Sequence, residues 1–219
     1  MKPQATSRED ILAACRKVVR DRGLSGVSVR AVAAAAGVVP GTLYHYFPDK
    51  NALLTAVTAD VWREVFDLGA PSAAAGAAPA GAAPAAAAAS PVAAPAPAAA
   101  GEGDASFVGY VRALFSGACS RLAAYPGFAQ AHGLDLVAQA GDAEEGRRRM
   151  GAFLGDVERA LLDALARDGH VSGRAFAGGL TPEALVRVVM RDLLALLVLG
   201  SEDCDDLIAL LRAVLYQEP

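Results

Sequence analysis

A stretch of 32 residues rich in alanine and proline, from Ala70 to Gly101, divides the chain and limits how it can fold. It contains no charged or aromatic side chain, and six prolines interrupt its alanine runs. A proline inside a helix removes a hydrogen bond and clashes with the preceding turn, so prolines this closely spaced prevent a stable helix. We therefore expect a disordered linker over residues 70–101, with a folded unit on each side.

Both flanking segments have the apolar spacing of α-helices, and neither has the alternation that is typical of strands. In the first segment, Ser7 and Ser28 can each cap a helix, and Gly23 and Gly37 can end these helices. A third helix follows, and Asp49 can cap a fourth. In the second segment, the pattern predicts helices over residues 106–124, 128–140, 144–168, 182–199 and 203–216. The sequence thus predicts an all-α fold.

Charge is unevenly distributed along the chain. The net charge is -4 at pH 7, which by itself argues against a polyanionic partner. Residues 1–62, however, hold eight basic and five acidic side chains, whereas the rest holds 12 basic and 19 acidic ones. A basic amino-terminal unit on an acidic body indicates a surface that contacts phosphate and a body with another task.

The cysteines and the amino terminus indicate the compartment. Cys15, Cys119 and Cys204 are odd in number and lack the spacing of metal ligands, so we expect no disulfide framework, metal or cofactor. Free thiols suit a reducing cytoplasm. The first ten residues, MKPQATSRED, have no apolar segment, and we expect no association with a membrane.

A short aromatic stretch, VVPGTLYHYFPDK at residues 38–50, follows the second predicted helix. Ala33, Gly37 and Leu43 have the spacing of a helix-turn-helix, which needs a small residue where two helices cross, a glycine at the turn and an apolar anchor. Leu43 and Phe47, four residues apart, would face the core. Other side chains of the stretch would point outward: Pro40, Thr42, Tyr44, His45 and Tyr46. Because such groups can contact phosphates, sugars and base edges, we expect this helix to bind DNA.

Residues 28–54, SVRAVAAAAGVVPGTLYHYFPDKNALL, resemble the DNA-binding domain of the TetR family of transcriptional regulators. The resemblance implies a three-helix DNA-binding domain over residues 1–62, with a linking helix to about residue 68. It also implies a helical effector-binding and dimerisation domain over residues 104–219. A protein of this kind would bind a double-stranded inverted-repeat operator as a homodimer, and a small hydrophobic effector would release it.

The resemblance also implies roles for single residues. Ser28 and Arg30, at the start of the second helix, would touch phosphate, and Lys50 would grip the DNA backbone. The third helix would read the major groove through Pro40, Gly41, Thr42, Tyr44, His45 and Tyr46. Two features depart from the family pattern. Val39 stands where a hydroxyl side chain is frequent, and the alanine-proline linker replaces a tight connection.

The carboxyl-terminal segment carries aromatic and soft side chains that suit either a plain core or the lining of an effector pocket. The candidate pocket residues are Trp62, Phe107, Tyr110, Phe115, Phe128, His132, Met150 and Phe153. The last two helices carry more apolar surface than a small body can cover, which predicts the dimer interface. The residues of this predicted seam are Leu185, Val188, Val189, Leu193, Leu196, Leu197, Leu207, Ile208, Leu211 and Val214.

Two other kinds of function remain open at the level of sequence. The chain could be an architectural or protein-interaction DNA-binding protein with no effector, and a packed body without a cavity would favour that reading. An enzyme could use His132 and Asp135, three residues apart, together with Cys119. No flanking motif supports such a triad, so we expect a non-enzymatic repressor.

Overall fold

The computed structural model describes residues 6–68, 106–131 and 144–216. Across these ranges the chain is helical and forms no β-strand, which confirms the all-α fold. The helices are α1 Arg8–Arg22, α2 Val29–Ala36, α3 Pro40–Tyr46, α4 Lys50–Val65, α5 Phe107–Leu122, α6 Glu144–Arg167, α7 Pro182–Leu199 and α8 Asp205–Leu215. A 3-10 turn, Leu24–Gly26, joins α1 to α2, and residues 128–131 are also helical. The predicted linker and residues 132–140 of a predicted helix lie outside the described residues.

Local capping groups set the helix starts that the sequence indicated. The Ser7 hydroxyl accepts a hydrogen bond from the Asp10 backbone N–H at 3.1 Å, and the Asp10 carboxylate accepts one from the Ser7 N–H at 2.9 Å. Asp49 caps α4, and Thr181 caps α7 ahead of a proline in the first turn. Each such cap contributes about 1 kcal/mol, so these boundaries follow from neighbouring residues alone.

Ion pairs fasten α4 to α1. The Arg16 guanidinium pairs with Asp60, and its Nε lies 3.3 Å from the Glu64 carboxylate. Arg20 pairs with the same Glu64 carboxylate. Since α1 also packs on α2, these contacts make α4 a continuation of the amino-terminal unit.

The second half of α4 is packed into the carboxyl-terminal body. Trp62 and Phe66 are fully buried. The ring centres of Trp62 and Phe128 are 5.5 Å apart, and those of Phe66 and Phe153 are 5.6 Å apart. Buried residues of both units therefore form one continuous hydrophobic core, with α4 as the shared element.

Polar contacts hold the carboxyl-terminal end of α4 against α5 and α6. Arg63 pairs with Asp156 of α6 at 2.6 Å. Arg121 of α5 donates a hydrogen bond to the Val65 carbonyl at 3.3 Å and pairs with Asp67 at 2.8 Å. Asp67 has a φ of 57°, a left-handed conformation that aspartate tolerates better than most side chains. The end of the shared helix is thus fixed by charge as well as by packing.

A buried carboxylate joins three helices of the body. Asp168, just after α6, accepts hydrogen bonds from the Phe107 N–H at the start of α5, at 2.7 Å, and from the Tyr216 hydroxyl after α8, at 2.5 Å. It also accepts one from the His170 N–H at 2.9 Å. Burial disfavours its charge, but hydrogen bonds from Tyr216, Phe107 and His170 outweigh burial and hold the pKa of this carboxyl below its usual value. The charged form therefore stabilises the fold.

Candidate nucleic-acid interface

The helix-turn-helix consists of α2, a three-residue turn and α3. Gly37 ends α2 with a φ of 68° and a ψ of 27°, the left-handed conformation that glycine adopts without strain. Ala33 is buried where the two helices cross, and Leu43 and Phe47 are buried beneath α3. These residues have the roles that their spacing predicted, and they present the rest of α3 to solvent.

Exposed polar groups precede and follow α3 in the chain. Arg30 in α2 and Lys50 at the start of α4 are exposed, and neither forms an ion pair with another described residue. The Ser28 hydroxyl accepts a hydrogen bond from the Ala31 N–H at 3.1 Å, which leaves its own proton free for donation to an anion. The surface around α3 thus offers two unpaired cations and a hydroxyl donor to a polyanion.

Most of the predicted reading residues lie on the accessible surface of α3. Pro40, Gly41, Tyr44 and His45 are exposed, and Thr42 is half-buried. No atom lies within 4 Å of the position that a Cβ on Gly41 would take, so the backbone is open to close approach there. The start of α3 is thus accessible from solvent.

Tyr46 differs from the other predicted DNA contacts. Tyr44 and Tyr46 lie about 200° apart on a helix, so they face different sides of α3 and cannot both be buried in the core. Tyr46 is half-buried, and its hydroxyl donates to the Thr6 carbonyl at 2.5 Å. Its ring meets His45 edge to face, with centres 5.2 Å apart. In this arrangement Tyr46 fastens α3 to the chain just before α1 and positions His45, whereas the sequence had placed it among the outward-facing residues.

The comparison with known families concerns this same segment. Residues 11–57 match the family model of bacterial regulatory proteins, tetR family. This segment therefore resembles the DNA-binding domain of that family. An uncharacterized HTH-type transcriptional regulator of Mycobacterium tuberculosis is 44% identical over 62 residues, which are 28% of this chain and 29% of that protein. The HTH-type transcriptional repressor KstR2 of Mycolicibacterium smegmatis is 36% identical over 56 residues, or 26% of this chain and 27% of the repressor. The chain thus matches less than a third of the length of these relatives.

Solved structures share the TetR-like fold over nearly the whole chain. A Rhodococcus sp. RHA1 protein assigned as a transcriptional regulator has a TM-score of 0.59 at 14% identity, and the match covers 97% of this chain and 96% of that one. The transcriptional regulator FadR from Bacillus subtilis, solved in complex with stearoyl-CoA, has a TM-score of 0.50 at 18% identity and 95% coverage of both chains. At these identities the likeness concerns the fold alone.

The candidate effector residues of the TetR-like body lie mainly in its core. Trp62, Phe107, Phe115, Phe128 and Phe153 are buried, Tyr110 and Met150 are partly buried, and His132 lies outside the described residues. An open pocket of about 270 Å³ lies elsewhere, at the carboxyl-terminal ends of α5 and α7, and none of the seven described candidates lines it. The Trp62 indole N–H is buried and has no hydrogen-bond partner among the described residues. The packed aromatic cluster around Trp62 therefore contains an unsatisfied donor.

One contact between the DNA-binding domain and the body was not indicated by any sequence pattern. The Arg20 guanidinium of α1 lies 5.0 Å from the ring centre of Tyr125, which follows α5. Burial raises the pKa of the Tyr125 hydroxyl to about 12, so the ring meets the guanidinium in its neutral form. The two residues are far apart in the chain, and no local pattern could have paired them.

The described ranges were also searched for metal-ligand groups, membrane-spanning helices and the residues of the catalytic alternative. They contain no group of three or more metal-ligating side chains and no helix with the length and apolar character that a bilayer span requires. Cys119 is half-buried, and burial raises the pKa of its thiol, which makes it a weaker nucleophile at neutral pH. His132 and Asp135 of the catalytic alternative lie outside the described residues.

Proposed function

We propose that the protein is a homodimeric transcriptional repressor that binds an inverted-repeat operator and that a small hydrophobic effector releases from DNA. The observation that carries the proposal is the helix-turn-helix, whose exposed α3 lies between unpaired cations in a segment that matches the tetR family. Three free thiols, on Cys15, Cys119 and Cys204, are consistent with action in the cytoplasm.

The proposed contacts fall into two chemical groups. Ser28, Arg30 and Lys50 would bind phosphate oxygens, which are the same at every base pair and so position the protein without reading sequence. Thr42, Tyr44 and His45 would contact base edges in the major groove, where each base pair presents its own pattern of donors and acceptors. Pro40 and Gly41 would allow the start of α3 to approach the duplex closely.

The proposed dimer interface is the outer face of α7 and α8. Seven residues of the seam predicted from sequence are buried within the protomer itself: Leu185, Val189, Leu193, Leu197, Leu207, Ile208 and Leu211. They stabilise the body and are not free to meet a partner. Five apolar side chains remain at the surface of these helices: Val188, Leu199 and Leu210 are exposed, and Leu196 and Val214 are partly exposed. We assign the seam to these five residues.

The proposed effector acts at the aromatic cluster around Trp62. A buried donor without a partner costs about 1–3 kcal/mol, so an effector with one acceptor atom would gain a hydrogen bond there in addition to apolar contact. Because Trp62 is on α4, an effector that separates it from Phe128 would also move the helix that carries Lys50. A hydrophobic molecule bound in a related fold, such as stearoyl-CoA in FadR, supports this class of effector.

Selection of duplexes from a random DNA pool tests the proposal. We expect an enriched inverted repeat whose half-sites lie about one helical turn, or a multiple of it, apart. Enrichment of no sequence would contradict the proposed function. Enrichment of the repeat, with no thermal stabilisation by any compound in a broad panel of apolar molecules, would favour the effector-free DNA-binding alternative.

A further inference from the structure

Two groups of exposed apolar side chains stand out on the described surface. Five large hydrophobic residues are exposed in the described ranges: Val39, Tyr44, Val188, Leu199 and Leu210. Three of them belong to the outer face of α7 and α8. The other two, Val39 and Tyr44, lie at the recognition helix, where Val39 is 69% exposed and Tyr44 is 55% exposed. None of the DNA contacts proposed above involves the aliphatic side chain of Val39.

The exposure of Val39 follows from the backbone. Val39 has a φ of -80° and a ψ of 149°, an extended conformation in which successive side chains point to opposite sides. Val38 packs against the core, so Val39 points away from it. The side chain is thus fixed outward at the start of α3, next to Pro40 and Gly41, which are themselves exposed.

Valine at this position is unfavourable for the isolated protein. Ser7, Ser28 and Asp49 cap the other three helices of this unit through a side-chain oxygen, whereas Val39 precedes α3 and makes no capping hydrogen bond. A serine or threonine here would stabilise the helix and remove apolar surface from water. Residues that break a local rule without a structural gain are expected at functional sites.

The chemistry of the major groove identifies what an aliphatic group can read there. Hydrogen-bonding groups occupy most of the base edges, and the C5-methyl group of thymine is the apolar feature of the groove. A valine side chain cannot bond to a donor or an acceptor, and burying it against either would leave that group unsatisfied. Contact with a thymine methyl would bury both apolar groups without that cost.

We propose that Val39 is a specificity-determining residue that selects thymine at one position of each operator half-site through contact with its C5-methyl group. The inference rests on the proposed binding of α3 in the major groove and assigns to Val39 a base preference that the hydrogen-bonding residues do not supply.

Replacement of single thymines by deoxyuridine tests the proposal, because this change removes the methyl group and keeps every hydrogen-bonding group. The probe is the duplex that the full-length protein enriches from a random pool. With the wild-type protein, we expect deoxyuridine at one position of a half-site to weaken binding about fourfold, as burial of one methyl group predicts. With Val39→Ala, the same replacement should have no effect. Arg174→Ala is the control, since it truncates an exposed side chain between α6 and α7, away from both α3 and the proposed seam, and it should preserve the wild-type pattern.

The possible outcomes are distinguishable. A duplex that binds specifically but tolerates deoxyuridine at every thymine would overturn the role of Val39 and leave the proposed function intact. A sensitive position that stays sensitive in Val39→Ala would assign the methyl contact to another side chain, which also overturns the inference. Val39→Ser provides a second check, because it should raise the melting temperature by capping α3 and still lose the sensitivity. Failure to enrich any duplex would instead contradict the proposed function.

Discussion

The proposed DNA contacts assign two tasks to different side chains. Lys50 and Arg30 offer charge that no described residue neutralises, and Tyr44 and His45 offer shaped donors on α3. Tyr46 belongs to neither group, because its hydroxyl is bonded to the Thr6 carbonyl. We therefore expect substitutions of these residues to differ in how the loss of DNA affinity depends on DNA sequence and on salt concentration.

Replacement of Lys50 distinguishes phosphate contacts from base contacts. We expect Lys50→Ala to weaken binding to the operator and to random DNA equally, and to lower the slope of log affinity against log salt by about one unit per protomer. Tyr44→Ala should weaken operator binding more than random binding and leave the slope nearly unchanged. Fluorescence anisotropy over a range of salt concentrations measures both quantities. Equal losses and equal slopes for the two variants would contradict the division of roles.

The lowered pKa of Asp168 predicts how the stability of the body depends on pH. Its pKa in the folded state is below the usual value, so its charge stabilises the fold at neutral pH, and this contribution is lost as the pH falls below the unfolded value of about 3.9 and through the folded pKa. Asp168→Asn should lower the free energy of unfolding by about 2–3 kcal/mol at pH 7, because it weakens hydrogen bonds to a charged acceptor. Urea unfolding at pH 7 and at decreasing pH below 5 should show the difference shrinking. A difference independent of pH would indicate that the charge of Asp168 contributes nothing.

At the scale of helices, α4 connects the DNA-binding domain with the body. Asp60 and Glu64 of α4 pair with α1, while Trp62 and the residue that follows the helix, Phe66, lie in the core of the body. The two units therefore share packing, and we expect them to unfold together.

Phe153→Ala tests this shared core. Phe153 is fully buried on α6 and meets Phe66 of α4, so its truncation should cost about 3–5 kcal/mol. If the units unfold as one, amide hydrogen exchange should accelerate in α1 as well as in α6. Arg174→Ala, at an exposed position between α6 and α7 and outside the proposed seam, should change exchange in neither helix. Faster exchange confined to α6 would show that the units are energetically independent.

The helices themselves were largely predictable, because their determinants are local. Ser7, Ser28, Asp49 and Thr181 cap helices within three residues of themselves, and Gly37 ends α2 by its own conformation. Small differences occur where the signal is weak: the last helix begins at Asp205 and not at Asp203, and α5 ends at Leu122.

Contacts between distant parts of the chain were not predictable. Arg63 and Asp156 are separated by 93 positions, and the sequence contains no pattern that pairs them. The stripe of leucines on α7 indicated burial, but it could not show whether the protomer or a partner provides the cover. Leu193 is in fact buried within the protomer, whereas Leu199 is exposed. The bond from Tyr46 to Thr6 was not predictable for the same reason, since Thr6 precedes the helix-turn-helix.

At the scale of the whole molecule, dimerisation should determine operator affinity. Leu211 is fully buried, so a charge there would unfold the protomer, whereas its neighbour Leu210 is 56% exposed on the proposed seam. We expect Leu210→Asp to keep the helical circular dichroism of the wild type and to sediment as a monomer, because the new charge would be buried unpaired in the dimer. Its affinity for the inverted repeat should fall to that for a single half-site. A variant that stays dimeric with full operator affinity would place the interface elsewhere.

We propose that this chain recognises a specific DNA sequence through α3. This is tested by measuring the affinity of the whole 219-residue chain for the enriched inverted repeat and for a scrambled duplex of equal length and composition, at about 0.15 M salt. We expect the repeat to bind at least about a thousandfold more tightly. Equal affinity for the two duplexes, or no binding to either, would contradict sequence-specific recognition.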